Sequence, residues 1–174
     1  MRTEKDFLGE KEIEENALYR IQSVRARENF PCHSPFHKEW YMAMGKVKLA
    51  VFLSYKKFSD ALRKKYGENL PIRLIESPTM EAITEEASKL ADGHYFDQFI
   101  VPAIQGGAGT SVNMNVNEII ANAALIRLNQ KPGNYAIIDP LEHVTIYQST
   151  NDVVPTALKV AVMEQLNILE EKIN

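Results

Sequence analysis

The sequence predicts a mainly α-helical protein, and three features of its apolar pattern support that fold class. Several long segments repeat apolar residues at helical spacing, and start and stop signals bound most of them. The β-like runs between these segments are brief. The last segment carries a near-heptad apolar stripe, which is typical of helices that pack together.

The sequence predicts that the N-terminal part of the chain forms an arm followed by a long helix. Residues 1–33 show little periodicity, so we expect an extended, partly docked arm with one short helix near residues 16–27. The pair Ser34-Pro35 is typical of an N-cap followed by a first-turn proline. Apolar residues at helical spacing then predict a long helix over residues 40–66, which Gly67 ends.

In the middle of the chain, the sequence predicts two further helices separated by a loop. Ser77-Pro78 repeats the start signal, and a second apolar stripe runs to the stop signal Asp92-Gly93. Residues 99–104 are apolar and include a proline, so we expect an extended segment that enters a tight turn. The helical pattern resumes near Asn113 and ends at the stop signal of residues 131–133.

The last helix follows a brief β-like run at residues 135–138 and a loop. Asp152 is a suitable N-cap, and Pro155 suits a first turn. The near-heptad stripe comprises Val154, Leu158, Ala161, Val162, Leu166, Leu169 and Ile173. Because burial of each large aliphatic group contributes about 1.5–3 kcal/mol, we expect this helix to bind another helix or a second copy of the chain.

Composition narrows the class of protein. The chain has 174 residues, 45% hydrophobic and 25% charged, which fits one globular domain. Its net charge of -3 argues against a positively charged surface that binds nucleic acid. Cys32 is the single cysteine, so no internal disulfide forms, which fits a reducing compartment. The charged N-terminus lacks a signal core, and no apolar run approaches the roughly 18 residues of a membrane span. We therefore expect a cytoplasmic protein.

Two segments rich in small polar side chains precede helices, at residues 109–118 and 148–152. Backbone N–H groups at helix starts are unsatisfied and carry partial positive charge, and nearby hydroxyls and amides add donors. Together these groups suit a carboxylate or a phosphate. The alternative is that both segments are N-caps with additional polar residues. In the first segment, capping needs fewer groups than the five polar side chains of Thr110, Ser111, Asn113, Asn115 and Asn117.

Other residues that can carry chemistry are less informative. The segment Cys32-His33 and His37 lack a fourth ligand and match no common zinc spacing, so we expect a loop and no metal site. His143 is a candidate acid–base group because imidazole titrates near neutral pH, although such a histidine is more often structural. Glu118 and Asp152 lie near the two polar segments, but neither has the pairing expected of a catalytic base.

Several long segments resemble the aspartase/fumarase superfamily. The segments EKDFLGEKEI and ALYRIQSVRARENF are similar to the N-terminal arm of that family. DQFIVPAIQGGAGTSVNMNVNEIIAN resembles its first conserved block, and EHVTIYQSTNDVVPTALKVA resembles its second. Within the superfamily the aspartate ammonia-lyases are most similar, since fumarases more often have serine in place of Ala108 and Thr150.

The resemblance implies an N-terminal lyase domain over residues 1–147 and the first part of a central helix bundle over residues 148–174. It also implies helical homotetramers that eliminate ammonia from L-aspartate to give fumarate, without an organic cofactor. The family's proton-abstracting serine belongs to a third block, which has no counterpart in this sequence. By position, the substrate-binding residues are Thr110, Ser149, Thr150 and Asn151, with His143 and Asn113 as secondary candidates.

Departures from the family pattern leave alternatives open. Arg20 replaces the glycine that usually follows this tyrosine, and Leu141-Glu142 replaces the usual Asn-Asp before His143, which argues against a secondary anion site there. A companion chain that carries the rest of the bundle is one way to complete the active site. The chain is otherwise a non-catalytic fragment that docks on a full-length homologue, or part of a fumarate hydratase-like enzyme.

Overall fold

Helices dominate the structure, a computed structural model that describes residues 1–32 and 34–174. The predicted mainly α fold is therefore confirmed. No helix in these two ranges is long and apolar enough to cross a membrane. In chain order, the elements are β1 (Arg2–Asp6), β2 (Gly9–Ile13), α1 (Ile21–Asn29), α2 (Lys38–Tyr66), α3 (Ser77–Ala91), α4 (Thr110–Arg127) and α5 (Thr150–Ile173).

The N-terminal arm is more ordered than the sequence predicted. Strands β1 and β2 form an antiparallel hairpin, in which Arg2 pairs with Ile13 and Asp6 with Gly9. The hairpin was missed because its strands are rich in charged residues and lack apolar alternation. Helix α1 confirms the short helix expected near residues 16–27, shifted towards its C-terminal half.

The arm is held together by a small apolar cluster and by polar groups of its own, and it is joined to the domain by hydrogen bonds. Ile13, Ala17 and Ile21 form the cluster. The Arg2 guanidinium donates to the carbonyl oxygens of Ala17 at 2.8 Å and of Tyr19 at 2.8 Å. These bonds satisfy the backbone between β2 and α1. The arm is joined to the domain at Leu18, whose N–H donates to the Gln98 side-chain oxygen at 3.0 Å and whose carbonyl oxygen accepts from the Asn122 amide at 2.8 Å.

Helix α2 is the longest element, and it packs mainly against α3 and α5. It ends at Gly67 as predicted, but its N-cap is His37 and not Ser34, since the chain stays extended through Pro35. At the crossing with α3, a Cβ added to Gly45 would lie 2.4 Å from the backbone nitrogen of Ala91. Only glycine therefore permits this close approach of the two helices.

Helix α3 begins at Ser77 and ends at Ala91, which confirms the predicted start and stop positions, although Ser77 itself is not the N-cap. Its N-cap is Glu76, and Pro78 lies in the first turn, where a missing N–H costs no intrahelical bond. Beyond it, residues 99–109 form an irregular segment without strand pairing, which leads into α4.

Helix α4 is the core of the domain, and it begins at Thr110, three residues before the predicted start at Asn113. The residues from Val112 to Leu125 are all buried, and they contact α1, α3 and α5. The predicted β-like run at residues 135–138 is wrong, because residues 135–137 form a turn. A π-helical turn, Pro140–Val144, then leads towards α5.

Helix α5 begins at Thr150, so the predicted N-cap Asp152 is wrong and Pro155 lies in the second turn. Val153, Ala157 and Ala161 are buried where the first half of α5 packs on the domain. From Leu158 onward, most of the apolar side chains of α5 are exposed: Leu158, Val162, Met163, Leu166, Ile168, Leu169 and Ile173. The proposed division of the chain near residue 147 stays a prediction.

Candidate functional site

The N-terminal turns of α4 and α5 contact each other. The side-chain amide of Asn113 donates to the Thr150 hydroxyl oxygen at 3.2 Å. A Cβ added to Gly109, which precedes α4, would lie 2.8 Å from a methyl group of Val154 in α5. The structure therefore brings the two polar segments into one region, as expected if both bind the same ligand.

The α5 side of this region begins with a complete capping box. The Ser149 hydroxyl oxygen accepts from the Asn151 N–H at 3.1 Å, and the Asp152 carboxylate accepts from the Ser149 N–H at 2.8 Å. The alternative that this segment is an N-cap is thus correct for Ser149 and Asp152. The Ser149 hydroxyl can still donate its own proton outward, since Ser149 and Asn151 are exposed and Thr150 is half-buried.

The α4 side is built differently. Its N-cap is Gly109, held at φ 85°, and this residue has no side chain with which to accept from the first-turn N–H groups. Thr110 is exposed and Ser111 half-buried at the same turn. The helix therefore presents backbone donors, a partial positive charge and two hydroxyls together, which is the combination that favours a carboxylate.

Most of the amides that follow Thr110 have a structural role. The Asn115 carbonyl oxygen accepts from the N–H groups of Ile100 and Val101, at 2.8 and 3.3 Å. The Asn117 amide donates to the Thr145 hydroxyl at 3.0 Å. These two side chains tie loops to the core helix, so the fold accounts for Asn115 and Asn117 without a ligand. Asn113 is the one amide of the set that reaches α5.

The segment before Ser149 has a strained backbone. Ile146 and Tyr147 have φ values of 29° and 55°, a left-handed conformation that is rare for a β-branched residue such as isoleucine. Lys48, which is completely buried in α2, points into this turn. Its ammonium donates to the Val144 carbonyl at 3.5 Å and to the Gln148 side-chain oxygen at 3.4 Å.

Sequence reasoning missed Lys48, although a signal was present. Met44 and Phe52 lie one helical turn to either side of it, and both are completely buried. The spacing therefore placed a lysine on the apolar face of α2. Burial lowers the pKa of Lys48 from 10.5 to about 7, because the charged form loses its hydration.

His143 has a structural role in the π-helical turn. Its Nδ1 accepts from the Asp139 N–H at 3.0 Å, so the neutral ring carries its proton on Nε2. The Asp139 carboxylate accepts from the N–H groups of Leu141 and Glu142, at 2.7 and 3.0 Å. These backbone donors are therefore already used, which leaves His143 as no more than a secondary candidate.

The acidic groups considered as bases serve the fold. Glu118 is completely buried and accepts from the Ser23 hydroxyl and from the Arg20 N–H, the latter at 2.8 Å. Burial raises its pKa from 4.5 to about 7. Glu118 therefore faces the N-terminal arm, and Asp152 belongs to the capping box.

The metal site considered around Cys32 would include His33, which lies outside the described residues. Cys32 itself is half-buried, and its sulfur accepts from the Ser34 N–H at 3.4 Å. Across residues 1–32 and 34–174, no group of three or more histidine, cysteine, aspartate or glutamate side chains is arranged to hold a metal. The expectation that the chain binds no metal stays a prediction.

Comparison with known proteins decides the family. A family model described as "Lyase" matches residues 9–174. The chain belongs to the aspartase/fumarase superfamily of lyases. Aspartate ammonia-lyase from a Bacillus species is 44% identical over 172 residues, which are 98% of this chain and 34% of that protein. Fumarate hydratase class II from Halobacterium salinarum is 37% identical over 95% of this chain and 32% of that protein.

Solved structures support the same assignment of this lyase chain. The crystal structure of a fumarate lyase:delta crystallin from Brucella melitensis matches with a TM-score of 0.82 and 38% identity. The match covers 96% of this chain and 35% of that one. The chain thus spans about a third of the length of the relatives it matches.

The two departures from the lyase pattern lie close together in the fold. The Arg20 guanidinium stacks on the Tyr135 ring at 4.1 Å and lies 3.7 Å from the Asp139 carboxylate. Asp139 in turn caps the segment Leu141-Glu142, so the replaced residues belong to one polar cluster. This cluster joins the arm to the π-helical turn.

Proposed function

We propose that this chain contributes carboxylate-binding groups to an aspartate ammonia-lyase-like enzyme, which converts L-aspartate to fumarate and ammonia. The observation that carries the proposal is the contact between the N-terminal turns of α4 and α5, through Asn113 and Thr150. Relatives named aspartate ammonia-lyase, 42–44% identical over nearly the whole chain, support the choice of reaction.

The four candidate side chains have complementary roles in this proposal. Thr110 donates from the α4 side, and Ser149, Thr150 and Asn151 donate from the α5 side. Removal of a proton beside a carboxylate places additional negative charge on that carboxylate in the transition state. Donors that are already oriented stabilise this charge without reorganisation, which is why fixed helix N-termini suit the task.

The rest of the chemistry is proposed to come from outside these 174 residues. The proton-abstracting serine belongs to the absent third block, so we expect this chain alone to be inactive. The exposed apolar side chains of α5 provide a surface for a second copy or for a companion chain. We propose a cytoplasmic enzyme that needs no organic cofactor.

Two alternatives have their own support. A fumarate hydratase-like reaction is favoured by the 37% identity to the Halobacterium salinarum enzyme, and it would differ in its substrate, malate. A non-catalytic fragment that docks on a full-length homologue is favoured by the exposed α5 side chains.

Co-expression with the C-terminal two thirds of the Bacillus aspartate ammonia-lyase tests the proposal. Fumarate formation, followed by its ultraviolet absorbance, is expected from L-aspartate in the purified complex and not from this chain alone. Preference for L-malate would support the hydratase. A stable complex without turnover of either substrate would support the non-catalytic alternative.

Substitution of Thr150 by alanine tests the role of the α5 turn in that complex. Loss of one charge-assisted hydrogen bond costs about 1.5–3 kcal/mol, so kcat/KM for L-aspartate should fall roughly 10- to 100-fold. Thr156→Ala, an exposed threonine later in the same helix, is the matched control and should leave kcat/KM unchanged. Equal kinetics of the two variants would contradict the assignment of Thr150.

A further inference from the structure

Lys48 is a cation buried without a carboxylate partner. It is completely inaccessible to solvent, and none of the carboxylates in residues 1–32 and 34–174 lies within ion-pair distance of it. Its two contacts, with Val144 and Gln148, are long for charge-assisted hydrogen bonds. A buried charge is costly, so a lysine at this position needs a reason beyond packing.

Both contacts of Lys48 are at the ends of one strained turn. Residues 144–148, called here the 144–148 turn, contain the left-handed residues Ile146 and Tyr147. Such conformations are unfavourable for residues other than glycine and persist only where surrounding contacts impose them. Asn117 of α4 holds the middle of the turn at Thr145, and Lys48 holds its two ends.

The 144–148 turn determines where the proposed carboxylate-binding residues lie. Gln148 is followed directly by Ser149, whose capping box starts α5. Any movement of the turn would therefore move Ser149, Thr150 and Asn151 relative to Thr110. We propose that Lys48 is a positioning residue that clamps the 144–148 turn and thereby sets the geometry of the α5 N-terminal turn. This inference rests on the proposed function, because it assigns that geometry to carboxylate binding.

The clamp is sensitive to the protonation of Lys48. An ammonium donates charge-assisted hydrogen bonds, which are roughly twice as strong as those of a neutral amine. Because burial lowers its pKa to about 7, Lys48 loses its charge as the pH rises through the neutral range. The clamp should therefore be tight below pH 7 and looser above it.

Charged groups on the elements packed around Lys48 have other partners. On α4, Glu118 binds Ser23 and Arg20. On α5, Asp152 belongs to the capping box and Glu164 pairs with Lys46. On α3, Glu86 pairs with Lys89, and in the π-helical turn His143 accepts from Asp139 while Glu142 is exposed. Among these groups, Lys48 is the one that contacts the 144–148 turn, at Val144 and Gln148.

The experiment is a pH titration of the ¹⁵N-labelled chain by NMR between pH 5 and pH 9, without ligand. The amide resonances of residues 144–151 should shift in the wild type with a common midpoint near pH 7. The shift should be absent in Lys48→Met and retained in Lys57→Met, an exposed lysine of the same helix. It should also persist in His143→Gln, which removes the imidazole side chain nearest in sequence to the turn.

Either of two results with the wild type and Lys48→Met would overturn the proposal in this titration. One is a wild-type chain whose 144–151 amides do not respond near pH 7, and the other is an unchanged response in Lys48→Met. If Lys48→Met does not fold, Lys48→Arg keeps a permanent cation and should abolish the midpoint. Persistence of the midpoint in that variant would equally reject the clamp.

A second arm separates this inference from the proposed function. Succinate, a dicarboxylate that cannot react, is titrated into the wild type and into Lys48→Met at pH 6. The clamp predicts at least several-fold weaker binding to the variant, while Lys57→Met binds as the wild type does. Equal binding to wild type and Lys48→Met would overturn the positioning role. If the amides of residues 144–151 respond to pH through Lys48 but neither the wild type nor the variants bind succinate, the proposed function is rejected and the positioning role of Lys48 is supported.

Discussion

At the scale of single residues, the buried polar groups of this chain connect segments that are distant in sequence. Asn113 joins α4 to α5, Asn115 holds the segment before α4, and Glu118 holds the arm. The sequence showed that these residues were unusually polar for a helix. It could not show their partners, because only the fold brings those partners near.

Glu118 gives a prediction about stability and pH. Its folded pKa of about 7 lies above the unfolded value of 4.5, so the fold disfavours the charged form. The carboxyl therefore weakens the fold above pH 7, and this penalty disappears as the pH falls through 7 towards 4.5. Substitution by glutamine should remove the dependence. The free energy of unfolding of Glu118→Gln, taken relative to that of the wild type, should therefore be about 3 kcal/mol higher at pH 8 than at pH 4.5.

Urea denaturation at the two pH values measures this difference in the free energy of unfolding. Glu171→Gln, on the exposed end of α5, is the control and should show no difference between the two conditions. A Glu118→Gln variant whose effect is the same at pH 4.5 and pH 8 would show that Glu118 does not titrate in this range.

At the scale of elements, local signals predicted where helices end better than where they begin. Gly67 ended α2 as expected, since glycine stops helices through its own backbone, whereas α4 ended at Arg127, before the predicted stop signal of residues 131–133. Starts depend on which polar residue the tertiary fold selects as the N-cap. Ser34 and Asp152 both looked suitable, but His37 and Ser149 are the N-caps.

The close approach of α4 and α5 makes Gly109 a sensitive position. Alanine there must adopt φ 85°, which costs about 1–2 kcal/mol, and its Cβ would lie 2.8 Å from Val154. Overpacking adds about 1–3 kcal/mol. Gly107 has the same φ of 85° and nothing within 4 Å of an added Cβ. Gly109→Ala should therefore be destabilised by about 1–3 kcal/mol more than Gly107→Ala.

Thermal and urea denaturation of the two variants measure that difference, and amide shifts of Thr150 and Asn151 report displacement of α5. Equal stability of Gly109→Ala and Gly107→Ala would mean that the helices are not in the contact described here. Shifts at α5 are expected in Gly109→Ala alone.

At the scale of the whole molecule, the long family blocks were sufficient to predict the superfamily and the helical fold, and the comparisons confirmed both. The hairpin, the π-helical turn and the 144–148 turn were not predictable. Their conformations depend on long-range contacts, such as Lys48 with Val144, which are separated by many residues in sequence. The sequence located the two polar segments of the candidate site, but it placed the start of α4 three residues late and the N-cap of α5 at Asp152 instead of Ser149.

The exposed apolar side chains near the end of α5 predict that the chain associates with a second copy of itself. Leu166 and Leu169 are 57% and 52% exposed, and burial of two such side chains contributes about 3–6 kcal/mol. The double variant Leu166→Lys/Leu169→Lys should raise the dissociation constant of any self-association about 100-fold or more, as measured by sedimentation equilibrium. Gln165→Lys/Asn167→Lys adds the same charge at exposed polar positions and should associate as the wild type does.

The central claim is that the N-terminal turns of α4 and α5 bind one dicarboxylate together. The most direct measurement is an NMR titration of the ¹⁵N-labelled chain with succinate, with acetate as the monocarboxylate control. We expect the amides of residues 110–112 and 149–152 to shift along one common binding curve, with succinate bound more tightly than acetate. Separate curves for the two turns, or shifts confined to one of them, would contradict the claim.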